Sequence, residues 1–324
     1  MRVTSCEWKI EKYKFEIRKS WHKHKVKEKT KKILVIGSSG LVGSNLLHLS
    51  PLYPFTILPS FHSFFPDEYK ESGLKFDITD PVSVLKGLKE SAPNSVVNAS
   101  CMTVAVCERE PRNAYKVQVD GVRVLARACK EFDVRLIHLS SDMVYSGNKG
   151  APYTLDDVPD PISVYGKTKW EGERALQEVQ GDYVIVRSAI VLGRGRFRKT
   201  GFLDWMVERA QKDEELPLYV DQWRSPIVVD DLVEVIFKLA SSSFCGVLLA
   251  GGEEGMNRVE MGKRLLVAMG KPHDIIRPVS VDSIESGVSL QKDLRLDNSK
   301  LKEVVGKEKF MGIGEYFRRC EIID

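Results

Sequence analysis

The sequence predicts an α/β protein organised around a doubly wound parallel sheet, on three observations. Short apolar runs lack the polar alternation of a half-solvated strand, helical segments separate them, and a glycine-spaced turn joins the first run to the first helix. The strand candidates are "KILVIG" (32–37), "FTIL" (55–58), "LKFDI" (74–78), "SVVNAS" (95–100), "VRLIHLS" (134–140) and "YVIVRS" (183–188). Helices are expected near 41–49, 80–90, 111–131 and 164–179, which gives right-handed βαβ units. After about residue 188 the rhythm changes. A basic loop, "GRGRFRKTGF", precedes a helix near 202–212, and "DQWRSPIVVDDLVEVIFKLA" supplies a proline-bounded turn and another helix. The final 70 or so residues mix short strands and helices, as suits a smaller substrate-binding region over the sheet's carboxyl edge.

These elements suggest a basic N-terminal extension (1–31), a dinucleotide-binding domain over 32–188 joined by about 226–250, and a mainly substrate-binding region within 189–324. The formal charge of +4 hides an asymmetry. Residues 1–32 hold 12 Lys/Arg and 4 Glu, whereas the remainder holds 37 basic and 41 acidic residues. The body is mildly acidic, and the basic stretch reads as a solvated tail or an over-long translation start, because "KILVIGSSG" resembles a domain's natural beginning. "KYKFEIRKSW" alternates enough to form a stray edge strand. No nucleic-acid partner is expected, and no stretch approaches the ~20 apolar residues of a membrane span. The six cysteines are scattered without a C-x-x-C pair, which reads as cytoplasmic thiols rather than a disulfide framework or zinc site. No metal site is expected, at His22 and His24 or elsewhere.

"VIGSSGLVGSNLL" places Gly37, Gly40 and Gly43 directly after a strand and opening a helix. Small residues there let backbone approach a pyrophosphate, while the helix N-terminus adds amide donors and positive dipole. This context points to a Rossmann-type dinucleotide site, with Ser39, Leu41 and Val42 in the same turn.

Two tyrosine–lysine pairs lie four residues apart, Tyr145 with Lys149 and Tyr165 with Lys169. Residues so spaced share a face only on a helix. The first pair encloses Gly147 and Asn148 and reads as a turn. The second follows Pro159 and Pro161 into a credible helix. An ammonium ~5 Å from the phenol, at an effective dielectric near 20, is worth roughly 3 kcal/mol. On that basis Lys169 is expected to lower the Tyr165 pKa by about two units, into a useful acid–base range.

The G-x-x-G-x-x-G spacing, Asp77 in "FDITD", Asn98 and Ala99 in "VVNAS", Ser141 in "HLSSDMVYSG" and the Tyr165–Lys169 pair occur in the order seen in the extended short-chain dehydrogenase/reductase superfamily, which the chain resembles from residue 32 to about 310. Within it, the dTDP-4-dehydrorhamnose reductase family is similar in "PYTLDDVPDPISVYGKTKWEGE", "VNAS…T…CEREP", "DQWRSPIVVDDL" (with Asp221, Gln222 and Pro226) and "RLDNSKL". That resemblance implies NADPH-dependent reduction of a 4-keto group on a nucleotide-linked deoxysugar, with a homodimer as the assembly to test. It assigns Ser141 to the carbonyl oxygen, Tyr165 to proton delivery and Lys169 to the phenol and the nicotinamide ribose. Asp77 and Ile78 would meet the adenine, and Asn98, Ala99 and Ser100 would floor the nicotinamide. Thr103, Asp142, Arg194 and Arg224 would meet the substrate, whose diphosphate suits the loop of Arg194, Arg196, Arg198 and Lys199. With no acidic residue in "FTILPSFHSFF", Ser60 and His62 are expected to accommodate a 2′-phosphate, which favours NADP over the alternative, NAD.

Four departures from the family pattern are visible. Ile190 stands where tryptophan is usual, Leu290 and Gln291 replace an arginine–proline pair, "TVAVCE" lacks an aspartate, and Gln118 replaces an asparagine. Alternative readings are an epimerase or dehydratase with retained NAD, and a non-catalytic dinucleotide-binding subunit like the regulatory subunit of methionine adenosyltransferase. Intact Ser141, Tyr165 and Lys169 disfavour the last.

Overall fold

The computed structural model describes residues 31–64, 66–283 and 290–318. Most of the expected tail, with "KYKFEIRKSW", His22 and His24, lies outside the described residues. A seven-stranded parallel sheet organises the rest, in the order β11-β6-β5-β4-β1-β2-β3. Its strands are β1 (Lys31–Ile36), β2 (Phe55–Phe61), β3 (Leu74–Lys75), β4 (Ser95–Asn98), β5 (Arg135–Ser141), β6 (Tyr183–Ser188) and β11 (Gly246–Ala250). The direction of winding reverses between β1 and β4, and the crevice outside strand ends at such a point is where ligands bind in this architecture.

Period-two geometry divides the apolar runs between two cores. Ile33 and Val35 of β1 face one side with Ile137, Leu139, Val184 and Val186. There they meet Leu46 and Leu47 of α1 (Leu41–Leu49) and the largely buried α8 (Val229–Ser241). Leu34 and Ile36 face the other side with Val96, Leu136 and Ile185. They pack there against α2 (Pro81–Ser91), α5 (Gly121–Glu131) and α6 (Val164–Val179). Both faces are covered, which is why these runs show no polar alternation.

The expected helix over 111–131 is three pieces: α4 (Pro111–Tyr115), a π-helical stretch (Lys116–Asp120) and α5. The strand expected over 74–78 pairs only at Leu74–Lys75, because Asp77 turns the chain by accepting bonds from the Thr79 amide and hydroxyl. Outside the main sheet, β7 (Val191–Leu192) pairs with β10 (Ile227–Val228), and β9 (Trp223–Arg224) joins β12 (Met256–Asn257) and β14 (Asp293–Leu294), so segments distant in sequence meet over the carboxyl edge. In the same region α7 (Phe202–Gln211) leads to β8 (Leu216–Tyr219), which pairs with β13 (Ile276–Val279), and α9 (Arg258–Ala268) follows β12. No helix among the described residues is long and apolar enough to cross a membrane.

Candidate active site

A cleft of about 530 Å³ opens at the carboxyl ends of β4, β5 and β6, and its lining includes Ser100, Ser141, Tyr165, Lys169 and Ser188. Its cofactor end is made of backbone. The turn after β1 brings Gly43 so close that a Cβ there would stand 2.3 Å from the Gly37 carbonyl oxygen. α1 opens at Gly40 without a side-chain cap, which leaves its first-turn N–H groups without a side-chain partner there. Both features suit the phosphates of a dinucleotide. Beside the turn, Asn98 accepts bonds from the Ser100 amide and hydroxyl and donates to His138 Nδ1 at 3.1 Å. That donor places the imidazole proton on Nε2, which has no partner among the described residues. Burial, aided by Lys169, pulls the His138 pKa down to about 3, so the ring under the floor of the cleft is neutral.

α6 begins where the Ser163 hydroxyl accepts a bond from the Gly166 amide at 3.1 Å. Gly166 lets the helix press on the chain after β5, because a Cβ there would sit 2.2 Å from the Met143 carbonyl oxygen. That approach brings Tyr165 into the cleft beside Ser141, whose hydroxyl donates to Asp142 Oδ1 at 3.1 Å. The helix is also held from below. Ser140 and Arg187 both bond Glu173, the closest Arg187 contact being 2.7 Å, and Arg187 donates to Tyr145 at 2.7 Å. The other tyrosine of the two pairs, Tyr145, is thus fully buried in a structural network, stacked on Tyr153.

Lys169 is 3% exposed and donates to the Leu139 carbonyl at 3.1 Å, with its Nζ 5.9 Å from the Tyr165 ring centre. The expected lowering of the tyrosine pKa is not what this arrangement gives. Burial holds the phenol well above its ordinary value, and Cys101, whose Sγ lies 3.6 Å from the hydroxyl, pushes the same way. Desolvation of the phenolate outweighs the ammonium, which spends a hydrogen bond on a carbonyl. Tyr165 is therefore held as a proton donor.

Other expected site residues divide. Val42, Ala99, Ser100, Asp142 and Arg224 line the cleft with the three reactive groups. His62 lies 3.6 Å from Asp77 at the mouth of the cofactor end. Burial raises the Asp77 pKa, but the two Thr79 bonds, His62 and Lys116 outweigh it, and the net shift is downward. Ile78 turns its side chain into the core. Three expectations change. The Ser60 hydroxyl is buried and donates to the Val35 carbonyl at 2.9 Å, so it is not available to a 2′-phosphate. Thr103 caps α3 (Val104–Arg109), its hydroxyl accepting from the Val106 amide. Arg194 bonds Asp204 and lies beside α1, where the Asn45 amide donates to its carbonyl. The basic loop thus flanks the glycine turn and the end of β2, with Arg198 stacked 5.3 Å from the Phe64 ring centre. None of Arg194, Arg196, Arg198 and Lys199 lines the cleft with Ser141, Tyr165 and Lys169.

Sequence reasoning missed Tyr219, Arg258 and Cys101, which all line the cleft. Arg258 carried one faint signal, its place directly after the helix-capping Asn257 in "GMNRVEM".

A family model described as "RmlD substrate binding domain" matches residues 31–310. The chain is 30% identical over 261 residues to the dTDP-4-keto-6-deoxy-D-glucose reductase of Streptomyces niveus, covering 80% of this chain and 85% of that one. The dTDP-4-dehydrorhamnose reductase of Bacillus anthracis str. Ames, solved in complex with NADP, matches with a TM-score of 0.80 at 24% identity, over 91% of this chain and 100% of that one. A UDP-glucose 4-epimerase of Thermotoga maritima with UDP-glucose gives 0.77 at 22% identity, over 90% and 98%. Backbone likeness at this level establishes the fold and does not separate reduction from epimerisation.

Proposed function

The chain belongs to the RmlD substrate-binding-domain family of the extended short-chain dehydrogenase/reductases, and from that membership we propose that it reduces the 4-keto group of a dTDP-type nucleotide-linked deoxysugar with NADPH. The observation that carries the reading is the meeting of Ser141, Tyr165 and Lys169 in a cleft that begins at a dinucleotide turn. NADPH, when bound, supplies the hydride to the keto carbon. Ser141 bonds the keto oxygen and orients it. Tyr165, kept protonated by burial, delivers its proton to that oxygen as negative charge develops there. Lys169 and Ser141 then bear on the phenolate that forms, Lys169 by charge and Ser141 by hydrogen bond.

The absence of acidic residues over 55–64, with His62 and Arg198 at the end of β2, supports NADP over NAD. A cytoplasmic homodimer completes the proposal, and sedimentation tests the assembly. The function is tested by NADPH oxidation across a panel of nucleotide-linked 4-keto sugars, comparing wild type with Tyr165→Phe. Turnover by wild type alone supports the reading. Equal turnover would remove Tyr165 from its role, and tightly held NAD⁺ with no net consumption would replace reduction by epimerisation.

A further inference from the structure

The end of the cleft away from the glycine turn holds two guanidiniums against one carboxylate. Asp142 is 4% exposed and Arg224 3% exposed, with Arg224 Nε 3.7 Å from Asp142 Oδ2. Arg258, the first residue of α9, completes the group and lines the same cleft with Tyr219 and Gln222. Asp293, the other acid close to Arg224, is held by Arg295 at 2.7 Å. One positive charge is therefore left over in a poorly solvated place, which is costly until an anion balances it.

The two arginines are not equivalent. Arg224 spends its donors on backbone, reaching the carbonyls of Trp223 at 2.7 Å, Gln291 at 3.1 Å and Lys292 at 3.4 Å. Arg258 is anchored at one side only. Its Nε donates to Gln222 Oε1 at 2.8 Å, and its guanidinium lies 4.5 Å from the Phe202 ring centre. Nη1 is enclosed and has no partner among the described residues. Burial and the neighbouring Arg224 charge pull the Arg258 pKa down to about 9, against the opposing pull of Asp142 and Tyr219. An oriented but unspent donor, beside a like charge, is an arrangement that a bound anion relieves.

We infer that Arg258 is the principal anion-binding residue of the substrate end, taking a phosphoryl oxygen of the nucleotide diphosphate while Arg224 supplies charge and holds the 290s segment in place. The inference rests on the proposed nucleotide-sugar substrate. Position agrees with it: the Ser141 hydroxyl donates to Asp142 at 3.1 Å, so the arginines begin one side chain beyond the group that holds the keto oxygen.

The test uses the full-length enzyme saturated with NADP⁺ and titrates dTDP, inorganic pyrophosphate and thymidine into wild type, Arg258→Met and Arg258→Lys. A charge-assisted bond to a phosphoryl group leads to an expected loss of about 10- to 100-fold in dTDP and pyrophosphate affinity for Arg258→Met. Thymidine and NADPH binding should stay within about twofold, and lysine should recover part of the loss. For a reduced sugar nucleotide, KM should rise by a similar factor with kcat little changed. Unchanged dTDP affinity in Arg258→Met overturns the inference, and so does an equal loss for thymidine and dTDP, which would mark a structural role. If wild type reduces no nucleotide-linked keto sugar, the proposed function fails, yet the pyrophosphate titration still decides whether the subsite exists.

Discussion

The two ends of the cleft are built from different material. At the cofactor end the work is done by backbone: a turn that only small residues allow, uncapped helix amides, and the ends of neighbouring parallel strands, with the turn itself within a dozen residues of sequence. At the substrate end it is done by side chains, with Asp142, Tyr219, Arg224 and Arg258 brought together from the turn after β5 and from β8, β9 and α9. The first end is specified by what cannot be there, namely a Cβ. The second is specified by charge balance among residues spread over more than a hundred positions of sequence. Substitutions should therefore fail differently: by steric exclusion at one end, and by lost affinity for an anion at the other.

The largest effect that would break this contrast is at the turn itself. Gly43→Ala places a methyl 2.3 Å from a backbone oxygen, and neither the strand nor the helix can retreat without opening the sheet. NADPH affinity should fall by more than about 100-fold, read by fluorescence titration. An alanine variant that binds normally would show that the turn is not sterically set. Tyr165→Phe, where the two ends meet, should lower kcat by about 10²- to 10⁴-fold and leave NADPH binding intact. Loss of cofactor binding in that variant would instead make Tyr165 part of the cofactor end.

A third expectation concerns pH. The His138 pKa in the folded chain, about 3, lies below its ordinary 6.5, so the unfolded chain binds the extra proton. Its contribution is present above about pH 6.5 and is lost as pH falls. Between pH 7 and pH 5 this group should cost about 2 kcal/mol of unfolding free energy. His138→Leu should have a lower baseline, with Asn98 left short of a partner, but a flatter slope over that window. Equal slopes in denaturant titrations would place the acid sensitivity elsewhere. The smallest effect belongs to Arg198, exposed beside Phe64. Arg198→Ala should cut the NADPH-over-NADH preference by about tenfold or less, the size expected of a screened surface contact. An unchanged ratio would detach the basic loop from the cofactor.

How much was legible follows the same division. The sheet, the glycine turn and α6 were visible because strand burial, turn sterics and helix periodicity are local signals. The seventh strand β11 was not singled out, because "GVLLA" has the length of any buried apolar run. Tyr165 was separated from Tyr145 by helical context and by its place after Ser141 and the glycine turn in the order of landmarks. Two expectations failed for one reason: hydrogen bonds not written in sequence. Ser60 faces inward to the Val35 carbonyl, and Arg194 is held by Asp204 ten residues on. The expected effect of Lys169 rests on one charge, whereas desolvation dominates at Tyr165. Arg258 escaped because a single arginine at a helix start gains meaning only when Arg224 and Asp142 stand beside it.

The central claim, net reduction at the sugar's 4-carbon, is tested most directly by isotope transfer. NADPH deuterated at the transferable position is incubated with the enzyme and a dTDP-linked 4-keto-6-deoxysugar, and the product is read by mass and by proton NMR. Reduction predicts one deuterium per product, at carbon 4 and in one configuration, with one NADP⁺ formed for each sugar. An unlabelled product formed without cofactor consumption would contradict it.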